Sequence, residues 1–71
     1  MKITLNYVEM DVDENDTMID VIERYEKQEK VSVERKIKRE SNNMFIRATN
    51  NSLATLKIAD GESLKAQLLK S

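Results

Sequence analysis

Apolar and polar residues alternate in the first part of the chain in the manner of two short strands. Residues 2–7 place Ile3, Leu5 and Tyr7 on one face, with polar residues between them, as expected of a half-buried strand. Residues 9–13 alternate again, and a turn near Asn6 to Glu9 would pair the two segments. The pattern therefore predicts that the chain begins with a β-hairpin.

A helical period replaces the alternation directly after this hairpin. Asp16 is a suitable N-cap, and Thr17 with Asp20 forms an alternative capping box. The apolar residues that follow have the spacing of one helix face. They are Met18, Ile19, Val21, Ile22 and Tyr25. We predict a helix from about Thr17 to Gln28.

The second half of the chain contains further strand-like segments. Residues 30–39 alternate, but their many charges are typical of an edge strand or a weakly packed one. Residues 44–49 predict another strand, and the Asn50-Asn51 pair suits the positive φ angles of a tight hairpin. Residues 64–69 predict the last strand, which follows an Asp-Gly turn.

Residues 52–58 fit two interpretations. Ala54, Leu56 and Ile58 alternate as in a strand, whereas Leu53, Leu56 and Lys57 have the spacing of a short helical turn. Both interpretations leave the predicted fold class unchanged. We predict one α+β domain over residues 1–71, with a hairpin, one helix and two to four further strands.

The predicted core draws apolar residues from each element. Its members are Ile3, Leu5, Val12, Ile19, Ile22, Leu56, Leu64 and Leu68. The three aromatic residues are expected in or beside this core; they are Tyr7, Tyr25 and Phe45. A domain of 71 residues has a small core, and a deep catalytic cleft is not expected.

Composition excludes several kinds of chemistry. The chain has no histidine and no cysteine, which removes the usual zinc ligands and the Ser-His and Cys-His nucleophile arrangements. We therefore expect a protein that is not an enzyme and that needs no metal or other cofactor. Its longest apolar runs are two or three residues, too short for a membrane span. The lack of cysteine favours the reducing cytoplasm as its location.

Charge is strongly segregated along the chain. Residues 9–29 contain nine carboxylates and two bases, a net charge of about −7, whereas residues 30–71 contain nine bases and four acids, about +5. Lys2 adds the remaining +1, and the total of −1 hides this separation. A folded domain with such a sequence is expected to show an acidic and a basic region to its partners.

Six carboxylates are the candidate partner-binding residues, and we call them the acidic surface. They are Glu9, Asp11, Asp13, Asp16, Asp20 and Glu23. The first three alternate along the second predicted strand, and the last three fall along one line of the predicted helix. A merely solvated surface is the alternative interpretation.

The functional interpretation is that the acidic surface docks on a basic protein. In its sharpest form the carboxylates imitate nucleic-acid phosphates and mask the groove of a nucleic-acid-binding protein, as an inhibitor or DNA mimic does. A calcium loop is not expected, because residues 11–16 lack the glycine and the distant glutamate that an EF-hand requires.

A basic cluster follows the acidic residues along the chain. It comprises Arg35, Lys36, Lys38 and Arg39, with Lys30 and Arg47 nearby. Direct nucleic-acid binding usually also needs stacking aromatic rings, and Phe45 is the only one close in sequence. We therefore do not expect direct nucleic-acid binding. Pairing of the basic and acidic regions of two copies leaves a homodimer open.

Two segments carry a resemblance to a known family. Residues 2–26, KITLNYVEMDVDENDTMIDVIERYE, and residues 58–69, IADGESLKAQLL, resemble the first half and the final turn and strand of ubiquitin-like β-grasp proteins. The similarity is greatest to the small sulfur carriers of thiamin and molybdopterin biosynthesis. It implies a β-grasp fold, and as an alternative function a divergent sulfur carrier or ubiquitin-like modifier.

The C-terminal sequence departs from that family. Its members end in Gly-Gly, because glycine lets the tail enter an activating enzyme. In this chain the only glycine is Gly61, and the last residues are Leu69, Lys70 and Ser71. We expect no adenylation or thiolation at Ser71, and the protein-docking function therefore ranks first.

Overall fold

The computed structural model describes residues 1–69, which form one helix and five strands. In chain order they are β1 (Lys2–Leu5), β2 (Val8–Asp11), α1 (Met18–Glu29), β3 (Val33–Arg39), β4 (Met44–Arg47) and β5 (Ser63–Leu68). The strands form one sheet in the order β2-β1-β5-β3-β4, in which β1 and β5 are parallel and the other neighbours antiparallel. The predicted α+β class is confirmed, and nothing in the sheet order conflicts with a β-grasp arrangement.

A two-residue turn closes the β1-β2 hairpin. Asn6 and Tyr7 have φ angles of 50° and 67°, as both central residues of a type I′ turn require. The turn expected near Asn6 to Glu9 is therefore present, but the expectation that Tyr7 continues the inner face of the first strand is wrong, and this ring lies outside the core. The Asn6 amide accepts a hydrogen bond from the Ala66 N–H at 2.9 Å and donates one to the Ala66 carbonyl at 2.9 Å. Through these bonds Asn6 extends the pairing of β1 with β5.

The capping box fixes the start of α1. The Asp20 N–H donates to the Thr17 hydroxyl at 3.1 Å, and the Thr17 N–H donates to the Asp20 carboxylate at 3.3 Å. Thr17 is thus the N-cap, and Asp16 is not. The helix ends at Glu29 because Lys30 adopts a left-handed conformation with φ of 56°.

Strand β3 lies inside the sheet and not at its edge. It pairs with β5 on one side and β4 on the other, so the prediction of an edge strand is wrong. Val33 and Ile37 are buried on the side that faces α1, while Lys36 and Lys38 lie on the other side. An internal strand can carry these charges because only one face of the sheet is covered.

The connection from β4 to β5 consists of turns. The Asn50-Asn51 hairpin is not formed; the non-glycine positive φ in this connection is at Lys57, and Asn43 has one in the turn between β3 and β4. Within residues 52–58, the Leu56 N–H donates to the Ser52 carbonyl at 3.0 Å, as in a helical turn. The helical-turn interpretation of this segment is therefore the better one.

The core fills the space between α1 and one face of the sheet. Of the predicted core residues, five are buried: Ile3, Leu5, Val12, Ile22 and Leu64. Ile19 and Leu56 are half-buried. Leu68, the last residue of β5, is 55% exposed although its register partner Val33 is buried, and its inclusion was wrong. The core also contains Met18 and Val21 from the predicted apolar face of the helix, together with Val33, Ile37, Leu53 and Ile58, which were not among the predicted core residues.

The three aromatic residues have different environments. Tyr25 is buried in the core, as predicted. Tyr7 is 77% exposed and Phe45 is 59% exposed, so the prediction that they lie in or beside the core is wrong for both. Lys70 and Ser71, on which the comparison with Gly-Gly tails depends, lie outside the described residues.

Candidate binding surfaces

The six residues of the acidic surface lie in three places. Glu9 and Asp11 flank buried Met10 on β2 and therefore point to the face of the sheet away from α1, which we call the open face. Asp13 and Asp16 are in the connection from β2 to α1. The remaining two, Asp20 and Glu23, are exposed on α1, on the other side of the sheet.

Three of these carboxylates have cationic partners within the domain. Lys2 Nζ lies 3.3 Å from Glu9 Oε1, and the N-terminal amine lies 3.7 Å from Asp11 Oδ1. Arg24 Nη2 lies 3.1 Å from Asp16 Oδ2. Because these pairs are at the surface, each contributes little to stability, but each partly cancels the negative field.

Asp16 and Asp20 also have local structural roles. The Asp13 N–H donates to Asp16 Oδ2 at 2.9 Å, and this bond, with the neighbouring Arg24, lowers the pKa of Asp16. Asp20 completes the capping box of α1. Asp13 Oδ1 accepts the Asn15 N–H at 2.8 Å. Within residues 1–69, the Glu23 carboxylate forms neither an ion pair nor a hydrogen bond, although Arg35 is close enough for the two charges to attract. Glu23 is therefore the member of the acidic surface most available to a partner.

Two arginines of the predicted basic cluster are used inside the domain. Arg35 donates two hydrogen bonds to the Glu26 carboxylate, at 3.0 and 3.1 Å. The same carboxylate accepts the Val33 N–H at 2.9 Å and thus joins the end of α1 to β3. Arg39 forms a two-point ion pair with Glu62, which is almost buried. These contacts stabilise the fold and leave the two guanidinium groups less available.

Acid is expected to weaken the α1-β3 connection. The hydrogen bonds from Arg35 and the Val33 N–H hold the pKa of Glu26 below its ordinary value of 4.5. Because this pKa is lower in the folded protein than in the unfolded chain, ionised Glu26 stabilises the fold at any pH above its unfolded-state pKa. This stabilisation is lost as pH falls through the folded-state pKa. Urea unfolding of the wild type should show a loss of stability below about pH 4.5 that is smaller in Glu26→Gln. An unchanged acid dependence in that variant would contradict the assignment.

Four cations of the open face form no ion pair within residues 1–69. They are Lys36, Lys38, Arg47 and Lys65. Registered pairing places Lys38 opposite both Phe45 on β4 and Lys65 on β5, and Lys36 opposite Arg47. Lys65 was absent from the predicted cluster, although its position between buried Leu64 and Ala66 in an alternating strand was a signal for it.

Two shallow depressions adjoin Phe45 on the open face. One, of about 400 Å³, is lined by Arg35, Lys36, Phe45 and Arg47. The other, of about 310 Å³, includes Lys36, Lys38, Phe45 and Lys65 in its lining. Both combine an exposed ring with cationic side chains. The open face is therefore acidic at β2 and basic across β5, β3 and β4.

Comparison with known protein families, curated proteins and solved structures finds no match to this chain. Within residues 1–69, no three acidic side chains form a group that could hold a metal ion. No helix in the same part of the chain has the length and apolar character needed to cross a membrane. The candidate sites are thus the two charged surfaces themselves.

Proposed function

We propose that this protein is a non-catalytic binding module that docks on a basic protein through its acidic surface. The observation that supports the proposal is the concentration of negative charge in the first three elements of the fold. Residues 1–29 have a net side-chain charge of about −6, the −7 of residues 9–29 with +1 from Lys2, and they form β1, β2 and α1. The internal ion pairs reduce this charge but do not cancel it, and the resulting field attracts and orients a basic partner.

The geometry divides the surface into residues with different expected contributions. Asp13, Asp16 and Asp20 are engaged in local hydrogen bonds, and Glu9 and Asp11 adjoin their own cations. Glu23 is exposed on the outer side of α1. We propose that the partner contacts α1 first through Glu23, with Asp16 and Asp20 near the start of α1 adding to the local field. Glu9 and Asp11, on the open face, contribute only to the overall negative charge. Masking of a nucleic-acid-binding groove in the cytoplasm is the most specific form of this function.

Reversal of Glu23 to lysine should weaken docking strongly. A fluorescent oligolysine peptide serves as a model basic partner, with affinity measured by anisotropy over a range of salt. A close pair of charges in water contributes about 1 kcal/mol, so exchange of attraction for repulsion should weaken binding about tenfold or more at low salt. High salt should remove most of the difference, because the Debye length falls to about 3 Å at 1 M.

Glu40→Lys is the matched control, since Glu40 is exposed, lies outside the acidic surface and gives the same change of net charge. Glu62, an obvious control from sequence, is unsuitable because it is buried against Arg39. Asp20→Lys is also unsuitable, because it removes the capping box.

Equal weakening by the Glu23 and Glu40 reversals would mean that only net charge matters and would reject a defined docking surface. With the same variants as baits, host proteins retained by wild type and Glu40→Lys but lost with Glu23→Lys are the candidate partners.

A divergent sulfur carrier or ubiquitin-like modifier is the second candidate. The observation that favours it is the parallel pairing of β1 with β5 at the centre of the sheet, with α1 between the hairpin and β3 in the chain. This arrangement agrees with the fold that the resemblance implies. A fold alone does not carry an activity, so the docking function remains our first proposal.

A further inference from the structure

The open face brings together two exposed aromatic rings and four cations that are distant in sequence. Tyr7 is 77% exposed and Phe45 is 59% exposed. Lys65 Nζ lies 4.6 Å from the centre of the Tyr7 ring, and Lys36 Nζ lies 4.4 Å from the centre of the Phe45 ring. Phe45 is the only aromatic residue close to the basic cluster in sequence, but the hairpin turn brings Tyr7 beside β5 as a second ring.

The backbone conformation of Tyr7 is unfavourable for a tyrosine. Its φ of 67° is in the left-handed region, where glycine, asparagine or aspartate is usual and a bulky residue is an outlier. Tyr7 is not part of the core, so core packing does not explain its presence in the turn. A strained, solvent-exposed residue is a reason to look for a binding role.

We propose that the open face binds single-stranded nucleic acid. In this arrangement bases stack on Tyr7 and Phe45, while phosphates contact the unpaired cations of β3, β4 and β5. Combined aromatic platforms and cations are the usual means of binding single strands without sequence preference. The lysines that cover the rings can turn to phosphates when bases replace them, because a cation on an exposed ring is held weakly.

The dimensions of the face fit a short single strand. Phe45, Lys38 and Lys65 are register partners on three neighbouring strands, and Tyr7 follows β1, the next strand. Strands lie about 4.8 Å apart, so β4 and β1 are separated by about 14 Å, or three strand spacings. The face has no protruding helix of the kind that enters the major groove of a duplex. An acidic protein would satisfy the lysines equally but gives no special reason for two exposed rings.

Fluorescence anisotropy with an oligothymidylate of about ten nucleotides, within the range of known single-strand site sizes, tests the proposal. Lys38→Glu should weaken binding at least about tenfold at low salt and reduce the slope of log K against log salt by about 0.7, the value for one single-strand phosphate contact. Lys57→Glu is the matched control, because Lys57 belongs to the β4-β5 connection that packs on the α1 side of the sheet through Leu53 and Ile58. It should change the affinity less than about twofold, the residual effect of net charge at a distance.

The aromatic contribution has separate tests. Phe45→Leu keeps an apolar side chain but removes the stacking surface, and it should weaken binding at least about fivefold. Tyr7→Gly should weaken binding similarly while leaving the melting temperature unchanged or raising it, because glycine tolerates the left-handed conformation. Loss of binding without loss of stability distinguishes a binding role of Tyr7 from a structural one.

Three results would overturn the proposal. The first is no binding of the oligonucleotide at low salt. The second is binding that responds to Lys38→Glu but not to Phe45→Leu or Tyr7→Gly, together with equal binding of a polyglutamate peptide; the face would then recognise acidic polypeptides. The third is concentration-dependent self-association at low salt, seen by sedimentation, that the same lysine reversal abolishes and that excludes the oligonucleotide; the acidic surface of a second copy would then be the occupant.

Discussion

Replacement of Glu62 by alanine should destabilise the domain by about 3–5 kcal/mol, the cost of breaking a buried ion pair by removal of one partner. Glu62 is 8% exposed and accepts hydrogen bonds from the Arg39 guanidinium, at 2.8 Å from Nη2, and from the Ala59 N–H at 3.1 Å. Its removal leaves a partly buried charge and a backbone donor without their partner. Domains of this size have a stability of only about 5–10 kcal/mol, so much of it would be lost.

A double variant separates the ion pair from simple packing. Arg39→Met with Glu62→Leu removes both charges and keeps apolar volume, and it should recover more than half of the loss, since such replacements are often neutral or better. Urea unfolding followed by circular dichroism measures all three proteins. If the double variant is as unstable as Glu62→Ala alone, the stabilising contribution of Glu62 comes from its bond to the Ala59 N–H and not from Arg39.

The burial of Glu62 could not be predicted from its neighbours in sequence. It follows Gly61 in an evident turn, where a glutamate is usually exposed, and buried glutamates occur almost only with a partner. That partner is 23 residues away, on β3. Only the antiparallel pairing of β3 with β5 brings the two side chains together. Reversal of Glu62 therefore tests folding, although its local sequence suggests a harmless surface change.

Elements determined by local sequence were predicted well. The helix and its Thr17-Asp20 capping box depend on residues three apart, and both are present. The first hairpin depends on two short alternating segments, and it is also present. The position of β3 depends instead on which strands lie beside it. Its charges suggested an edge, but the sheet places it between β5 and β4 and leaves its charged side open.

The two charged surfaces also combine features that are visible in the sequence with features that depend on tertiary contacts. Segregation of carboxylates into residues 9–29 is visible in the sequence, but the cations that offset them, such as Arg24 beside Asp16, are known only from contacts. The basic part of the open face combines residues from the hairpin turn, β3, β4 and β5. Tyr7 was assigned to the core because alternation was continued two residues beyond Leu5, where the strand ends. The end of one strand thus determined whether a second aromatic ring belonged to this surface.

Leu53→Ala should destabilise the domain by about 2–5 kcal/mol, whereas Leu68→Ala should cost less than about 0.5 kcal/mol. Sequence favoured the opposite ranking, since Leu68 lies on the predicted inner side of an alternating strand and Leu53 lies among turns. The structure leaves Leu68 55% exposed and Leu53 fully buried, at 0%. The Leu53 N–H also donates to the Asp16 carbonyl at 2.8 Å, which places this residue where the β4-β5 connection meets the start of α1. Truncation leaves a cavity at that contact, because the surrounding structure relaxes only partly. Both variants remove the same atoms, so urea unfolding compares them directly; equal losses would mean that the connection does not pack into the core.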